Sequence, residues 1–316
     1  MTSFASCGLA VGHATDAAGA TGCTVIRGID RPFRCAAHVV GRATGTRELA
    51  LLDPGHLVSR VDAILLAGGS AYGLDATAGV MRWMEEHQRG FDVGAGVVPI
   101  VPAVVIFDLL PLGQFDARPT ADMAHAACDQ ATPEAAEGSI GAGTGATVGK
   151  IAGAGRASKG GVGVGEADGG AVHVRALAVV NALGDVRDAT GAIIAGARGA
   201  NGAWLDTATY VASGQTDISR FESLAGRNTT LCVVSTNAEL SRVQLASVAR
   251  AASAALFRRI TPVGTMFDGD VVFATSPDGG GVDASPAQVE ALAVIALERA
   301  LERGVRTKAP GDIFRG

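Results

Sequence analysis

Residues 228–236 read Asn-Thr-Thr-Leu-Cys-Val-Val-Ser-Thr. A polar, turn-prone run, Ala225-Gly226-Arg227-Asn228, meets two threonines that lead into the apolar Leu231-Cys232-Val233-Val234, the pattern of a short buried strand. A threonine at the lip of such a strand is well placed to act as a nucleophile. Were the Asn228–Thr229 bond cut, Thr229 would carry a hydroxyl and a free α-amine on one residue. The ordinary pKa of that amine, about 7.7–8.0, leaves a useful neutral fraction near neutral pH to take the hydroxyl proton. Nucleophile and base would then share a residue. A plain turn-to-strand junction has the same local sequence.

Other residues could complete such chemistry. Asp268-Gly269-Asp270 precedes Val271-Val272-Phe273-Ala274. If that stretch is extended, the two carboxylates share a face. One should then have a raised pKa unless a cation, such as an α-ammonium or a lysine, lies between them. An Asp-Gly hairpin turn is the competing reading. Lys159 is bracketed by small residues in Ser158-Lys159-Gly160-Gly161, which lets backbone or ligand approach closely; a solvated loop lysine looks the same. Asn181 ends the apolar run Ala176–Val180. Its amide could hold a developing oxyanion or only shape the following turn.

Several familiar motifs fail. Gly149-Lys150 invites a phosphate loop, but Thr144 stands where its first glycine belongs and Ile151 where Ser or Thr is required. No GxGxxG occurs between Gly141 and Gly165, and Gly68-Gly69-Ser70-Ala71-Tyr72 has tyrosine where a nucleophile elbow needs its last glycine. The six histidines show no metal-ligand spacing and the five cysteines no CxxC. Neither metal nor cofactor is expected.

The elements that must position these residues are partly legible. Strands are expected at Cys23–Arg27, Ala63–Ala67, Val97–Phe107, Val172–Val180, Leu231–Ser235 and Val271–Thr275. Asp75 can cap a helix carrying Val80, Trp83, Met84 and His87. Ser241-Arg242-Val243-Gln244 and Ser285-Pro286-Ala287-Gln288 are capping boxes, the second helix ending near Gly304. Near-adjacent strand pairs favour a layered α/β fold with a largely antiparallel sheet. Gly138–Gly170, rich in Gly and Ala without a clear period, reads as a long loop.

Composition narrows the function. A net charge of −5 with no basic block gives no footprint for nucleic acid. No apolar run approaches the ~20 residues of a membrane span, and Met1–Ala10 lacks the basic start of a signal peptide. A cytoplasmic protein with reduced thiols is expected. Charged residues are only 18%, against a usual ~25%, which suggests surface hidden between copies of the chain.

In sum these residues resemble the L-aminopeptidase/D-esterase family of self-cleaving hydrolases, which includes the nylon-oligomer (6-aminohexanoate-oligomer) hydrolases. The likeness runs along nearly the whole chain. It is carried by Val11-Gly12-His13-Ala14-Thr15-Asp16, Leu66–Ala76, Val98-Pro99-Ile100-Val101-Pro102-Ala103, Gly143-Thr144-Gly145-Ala146, Lys159-Gly160-Gly161, Val180-Asn181-Ala182, Asn228-Thr229-Thr230-Leu231 and Asp268-Gly269-Asp270. The resemblance implies a four-layer α/β/β/α sandwich of the N-terminal-nucleophile-hydrolase kind, assembled as tetramers or larger rings. It implies one hydrolase domain, 1–316, that cuts itself into 1–228 and 229–316. Thr229 would be the nucleophile, Asn181 the oxyanion-side amide, Lys159 a lysine near the nucleophile and Tyr72 a residue lining the substrate site. Asp268 and Asp270 match the acidic pair of the nylon-hydrolase branch. The aminopeptidase branch tends to have serine after glycine and a Ser-x-Glu pair, and this chain departs from it at both places. The expected substrate is a small peptide or an ω-amino-acid oligomer. An acyltransferase of the ornithine-acetyltransferase type and an uncut small-molecule binding module are the rival readings.

Overall fold

The structure is a computed structural model that describes residues 2–214 and 227–306. Ala225 and Gly226 of the run before Thr229 lie outside the described residues.

Two sheets form the centre. Their strands are β1 (Leu9–Asp16), β2 (Thr21–Gly28), β3 (Phe33–Val39), β4 (Gly45–Arg47), β5 (Arg60–Val61), β6 (Ala63–Ala67), β7 (Ala103–Val105), β8 (Gly161–Gly169), β9 (Val172–Asn181), β10 (Thr229–Thr236) and β11 (Val271–Pro277). One sheet runs β1-β2-β6-β7-β4 and the other β8-β9-β10-β11-β3-β5. Neighbours are antiparallel except β6–β7 and β10–β11, which are parallel. The helices include α1 (Thr77–Glu86), α2 (Ala121–Asp129), α3 (Arg242–Ala252), α4 (Ala254–Arg259) and α5 (Pro286–Arg306), and a further short helix spans Thr207–Ala212.

Strand alternation sorts the apolar residues into three cores. In β10, Leu231 and Val233 point into the space between the sheets, with Ile64, Leu66, Val164, Leu177 and Phe273. Cys232 and Val234 point the other way, onto Leu245, Val248, Val289, Ala293 and Leu297 of α3 and α5. Across the first sheet, Val25 and Leu65 pack on Val80, Trp83, Met84 and Ala127 of α1 and α2. The layers are therefore helix, sheet, sheet, helix, the expected α/β/β/α order. Between Ser241 and Gln244 the capping box closes as expected: the Ser241 N–H donates to Gln244 Oε1 at 2.8 Å and the Gln244 N–H to Ser241 Oγ at 3.4 Å.

Three expectations need correction. The segment Gly138–Gly170 is not one long loop: its second half is β8, and Gly163 and Gly165 lie directly under α5. A side chain at either would run into the carbonyl oxygens of Ala300 and Ala296. Val97–Phe107 is not one strand. Val97–Val98 belongs to a small hairpin with Phe91–Asp92, and only Ala103–Val105 joins the sheet, because Pro99 and Pro102 interrupt the ladder. A 3-10 turn over Ser70–Ala76 precedes α1, so Asp75 lies inside that turn rather than at a cap.

Candidate active site

Thr229 is the first residue of β10, and its register partner is Asn181, the last residue of β9. The ladder to β11 continues upstream through a parallel bridge between Asn228 and Asp268. A central position in a sheet explains why Thr229 is only 3% exposed. Its Oγ1 donates to the Asn228 carbonyl at 2.7 Å. That carbonyl also accepts the Gly269 N–H at 2.8 Å.

The acidic pair flanks this point. Asp270 Oδ1 accepts the Thr230 N–H at 2.6 Å and Oδ2 that of Gly264 at 3.3 Å. Asp268 Oδ2 accepts the Thr265 N–H at 2.8 Å and hydroxyl at 2.7 Å. Both carboxyls are buried. Burial raises the pKa of each, and the charge of Asp268 raises that of Asp270 further. The cation near them is Lys150, which pulls Asp268 back down.

Lys150 is buried, and its ammonium donates to three oxygens. These are Asn181 Oδ1 at 2.7 Å, the Asn181 carbonyl at 3.0 Å and the Arg227 carbonyl at 3.1 Å. Burial pushes its pKa down to about 7 against the pull of Asp268 and Asp270. Asn181 is thus shared. Its Oδ1 accepts Lys150 and the Thr147 N–H at 3.1 Å; its Nδ2 donates to the carbonyls of Phe107 at 3.2 Å and Arg227 at 3.4 Å.

Lys159 has different partners. Its ammonium donates to the carbonyls of Gly143 at 2.8 Å, Ala146 at 3.1 Å and Gly160 at 2.8 Å. Burial lowers its pKa to about 7, and Asp108 pulls it back up. Asp108 is a buried carboxyl raised to about 6 by burial, and it accepts the Gly69 N–H at 2.6 Å and the Thr21 hydroxyl at 2.8 Å. Tyr72 lies in the turn after Gly69 and is half exposed, with Arg118 stacked 3.6 Å over its ring and Phe115 edge-on at 6.5 Å.

Thr229, Asn228, Asn181, Asp268 and Asp270 therefore converge. Lys159 and Tyr72 sit on the segments around Asp108, one residue from the Phe107 carbonyl that takes the Asn181 amide. The sequence reading missed Lys150, having weighed Gly149-Lys150 only as part of a phosphate loop. A lone lysine between Val148-Gly149 and Ile151-Ala152 is itself a hint of burial. Among the described residues no group of three or more His, Cys, Asp or Glu could hold a metal ion, and no helix is long and apolar enough to cross a membrane. A cleft of about 560 Å³ lined by Leu57, Arg60, Asp62 and Phe91 includes none of the converging residues.

The fold has known counterparts. The L-aminopeptidase D-Ala-esterase/amidase from Ochrobactrum anthropi, described as a variant of the N-terminal-nucleophile-hydrolase fold, superposes with a TM-score of 0.68 over 94% of this chain and 83% of that one, at 19% identity. A β-aminopeptidase from Burkholderia sp. gives 0.67 over 94% and 84%, also at 19%. The architecture is thus that of an N-terminal-nucleophile hydrolase. The profile of Peptidase family S58 matches residues 7–307, and the chain belongs to that family; it is an enzyme, not a binding module. An uncharacterised aminopeptidase of Mycobacterium tuberculosis is 43% identical over 289 residues, 85% of this chain and 81% of the relative. The 6-aminohexanoate-oligomer endohydrolase of Kocuria sp. is 32% identical over 291 residues, 86% and 73%. Overall identity is greater to the mycobacterial aminopeptidase than to the nylon-oligomer hydrolase that the acidic pair and threonine suggest.

Proposed function

We propose that the folded chain cuts itself between Asn228 and Thr229, and that Thr229 then hydrolyses amide bonds of small peptides or ω-amino-acid oligomers through an ester on its own hydroxyl. The observation that carries this reading is the Thr229 hydroxyl 2.7 Å from the Asn228 carbonyl oxygen, opposite Asn181 and beside the acidic pair. Aminopeptidases and a 6-aminohexanoate-oligomer endohydrolase among the relatives share one bond type, the amide.

The base differs between the two reactions. In the uncut chain the Thr229 nitrogen is an amide and cannot take a proton. Lys150 and Lys159 are both lowered to about 7. Lys150 is bonded to Asn181 and to the Arg227 carbonyl two residues before Thr229, whereas Lys159 is bonded to the carbonyls of Gly143, Ala146 and Gly160, so Lys150 fits that task better. After cutting, the new α-amine is a second base, one residue before the Thr230 N–H that Asp270 accepts. General-base help is worth about 10²–10⁴-fold. Asn181 serves the oxyanion of the substrate, worth roughly 10²–10³-fold. The low share of charged residues and exposed apolar side chains such as Leu57 and Phe91 support assembly into a homotetramer or larger ring.

The test is denaturing electrophoresis with an amidase assay. Wild type is expected to give two fragments and activity, and Thr229→Ala one band and none. A cut, active Thr229→Ala enzyme would refute the proposal.

A further inference from the structure

The two carbonyls upstream of Thr229 are held by different donors. The Arg227 carbonyl accepts Lys150 Nζ at 3.1 Å and Asn181 Nδ2 at 3.4 Å. The Asn228 carbonyl, the one that would be attacked, accepts the Gly269 N–H at 2.8 Å and the Thr229 hydroxyl at 2.7 Å. We propose that the main-chain N–H of Gly269 is the oxyanion donor for self-cleavage, a separate donor from the Asn181 amide that serves substrates. This inference rests on the reading of Asn228–Thr229 as the scissile bond.

Three features fit Gly269 for the task. Its N–H is aimed by the sheet, because the Asn228–Asp268 bridge extends the β10–β11 ladder to this point. Its neighbours cannot drift: the Asp268 carbonyl accepts the N–H groups of Arg42 and Ala43, and the Asp270 carbonyl those of Val40 and Gly41. Such a preset donor needs no reorganisation as charge develops. Lastly, a Cβ at 269 would stand 2.7 Å from Thr229 Oγ1 and 2.6 Å from the Ala43 carbonyl oxygen. Any side chain there would crowd the nucleophile or push the N–H off the carbonyl.

The step balances without a co-reactant other than water. The Thr229 Oγ–C bond to Asn228 forms as the hydroxyl proton passes to the base, and the carbonyl oxygen becomes an alkoxide on the Gly269 N–H. Collapse breaks the C–N bond, and the proton goes to the departing Thr229 nitrogen. Water then splits the ester into the Asn228 carboxylate and the free Thr229 hydroxyl.

The experiment follows precursor to fragments by intact mass after synthesis in a cell-free system, with thermal melting of each product. Glycolic acid in place of Gly269 turns the N–H into an ester oxygen and adds no bulk. Its cutting rate is expected to fall about 10²-fold or more, the usual loss of one oxyanion donor, with cooperative melting retained. Gly269→Ala, which keeps the N–H but crowds Oγ, is expected to cut at least about 10-fold more slowly. Wild-type rates in both chains would overturn the role of Gly269 and leave the scissile bond in place. A wild-type chain that never cuts at this bond would overturn the parent reading, and this inference with it.

Discussion

At the scale of single residues, the account turns on buried charge. Lys150 and the acidic pair share a space that water does not solvate, so each group's pKa moves toward neutrality. A lysine lowered to about 7 is a usable base where an ordinary one is not. The sign is definite: the base must be neutral, so self-cleavage should slow about tenfold per pH unit below about 7 and level off above it. Lys150→Met should cut at least about 10²-fold more slowly and lose that limb of the profile. Lys159→Met should keep the limb. Rates followed by intact mass across pH 5–9 check this, and an unshifted profile in Lys150→Met would remove Lys150 from the role. The folded state also feels this lysine. Its folded pKa is depressed below 10.5, so the stability cost of burial is full below about 7 and is relieved as pH rises toward 10.5. Thr229, Asn181 and the Asp268/Asp270 pair were legible because local pattern and family likeness coincide on them. Lys150 was not, because its partners are 31 residues (Asn181) and 77 residues (Arg227) away in sequence, and no local pattern shows a fold-made pocket.

At the scale of elements, glycine does work that apolar patterning hides. Gly161, Gly163 and Gly165 alternate along β8, and two of them let α5 lie against the strand backbone. Gly163→Val should therefore destabilise the protein by about 3 kcal/mol, the upper end for overpacking, read as a Tm lower by several degrees. An unchanged Tm would mean that α5 can shift to make room. Strand periodicity was visible for Ala63–Ala67 and Leu231–Ser235, where Val, Leu and Ile carry it. It was invisible in β8, where every second residue from Gly161 to Gly165 has no side chain to signal a face. Helix starts were read correctly where a capping box marks them, as at Ser241. They were misread at Asp75, where a 3-10 turn intervenes.

At the scale of the molecule, the proposed cut falls inside a sheet. The six-stranded order β8-β9-β10-β11-β3-β5 places two strands of the downstream piece, β10 and β11, between β9 and β3 of the upstream piece. Cutting at Thr229 would thus leave the pieces interleaved, sharing two cores. They are expected to co-elute by size exclusion in native buffer and to separate only in denaturant; fragments that part in native buffer would contradict this sheet order. This order could not be read from the chain alone, since pairing of distant strands leaves no local trace; the family likeness supplied the four layers but not the strand order within them. The most direct test of the central claim is intact mass spectrometry of the purified wild-type protein beside Thr229→Ala. The account predicts fragments 1–228 and 229–316 from the first and one continuous chain from the second. A wild-type chain that is unbroken through Asn228–Thr229, yet hydrolyses amides, would contradict it.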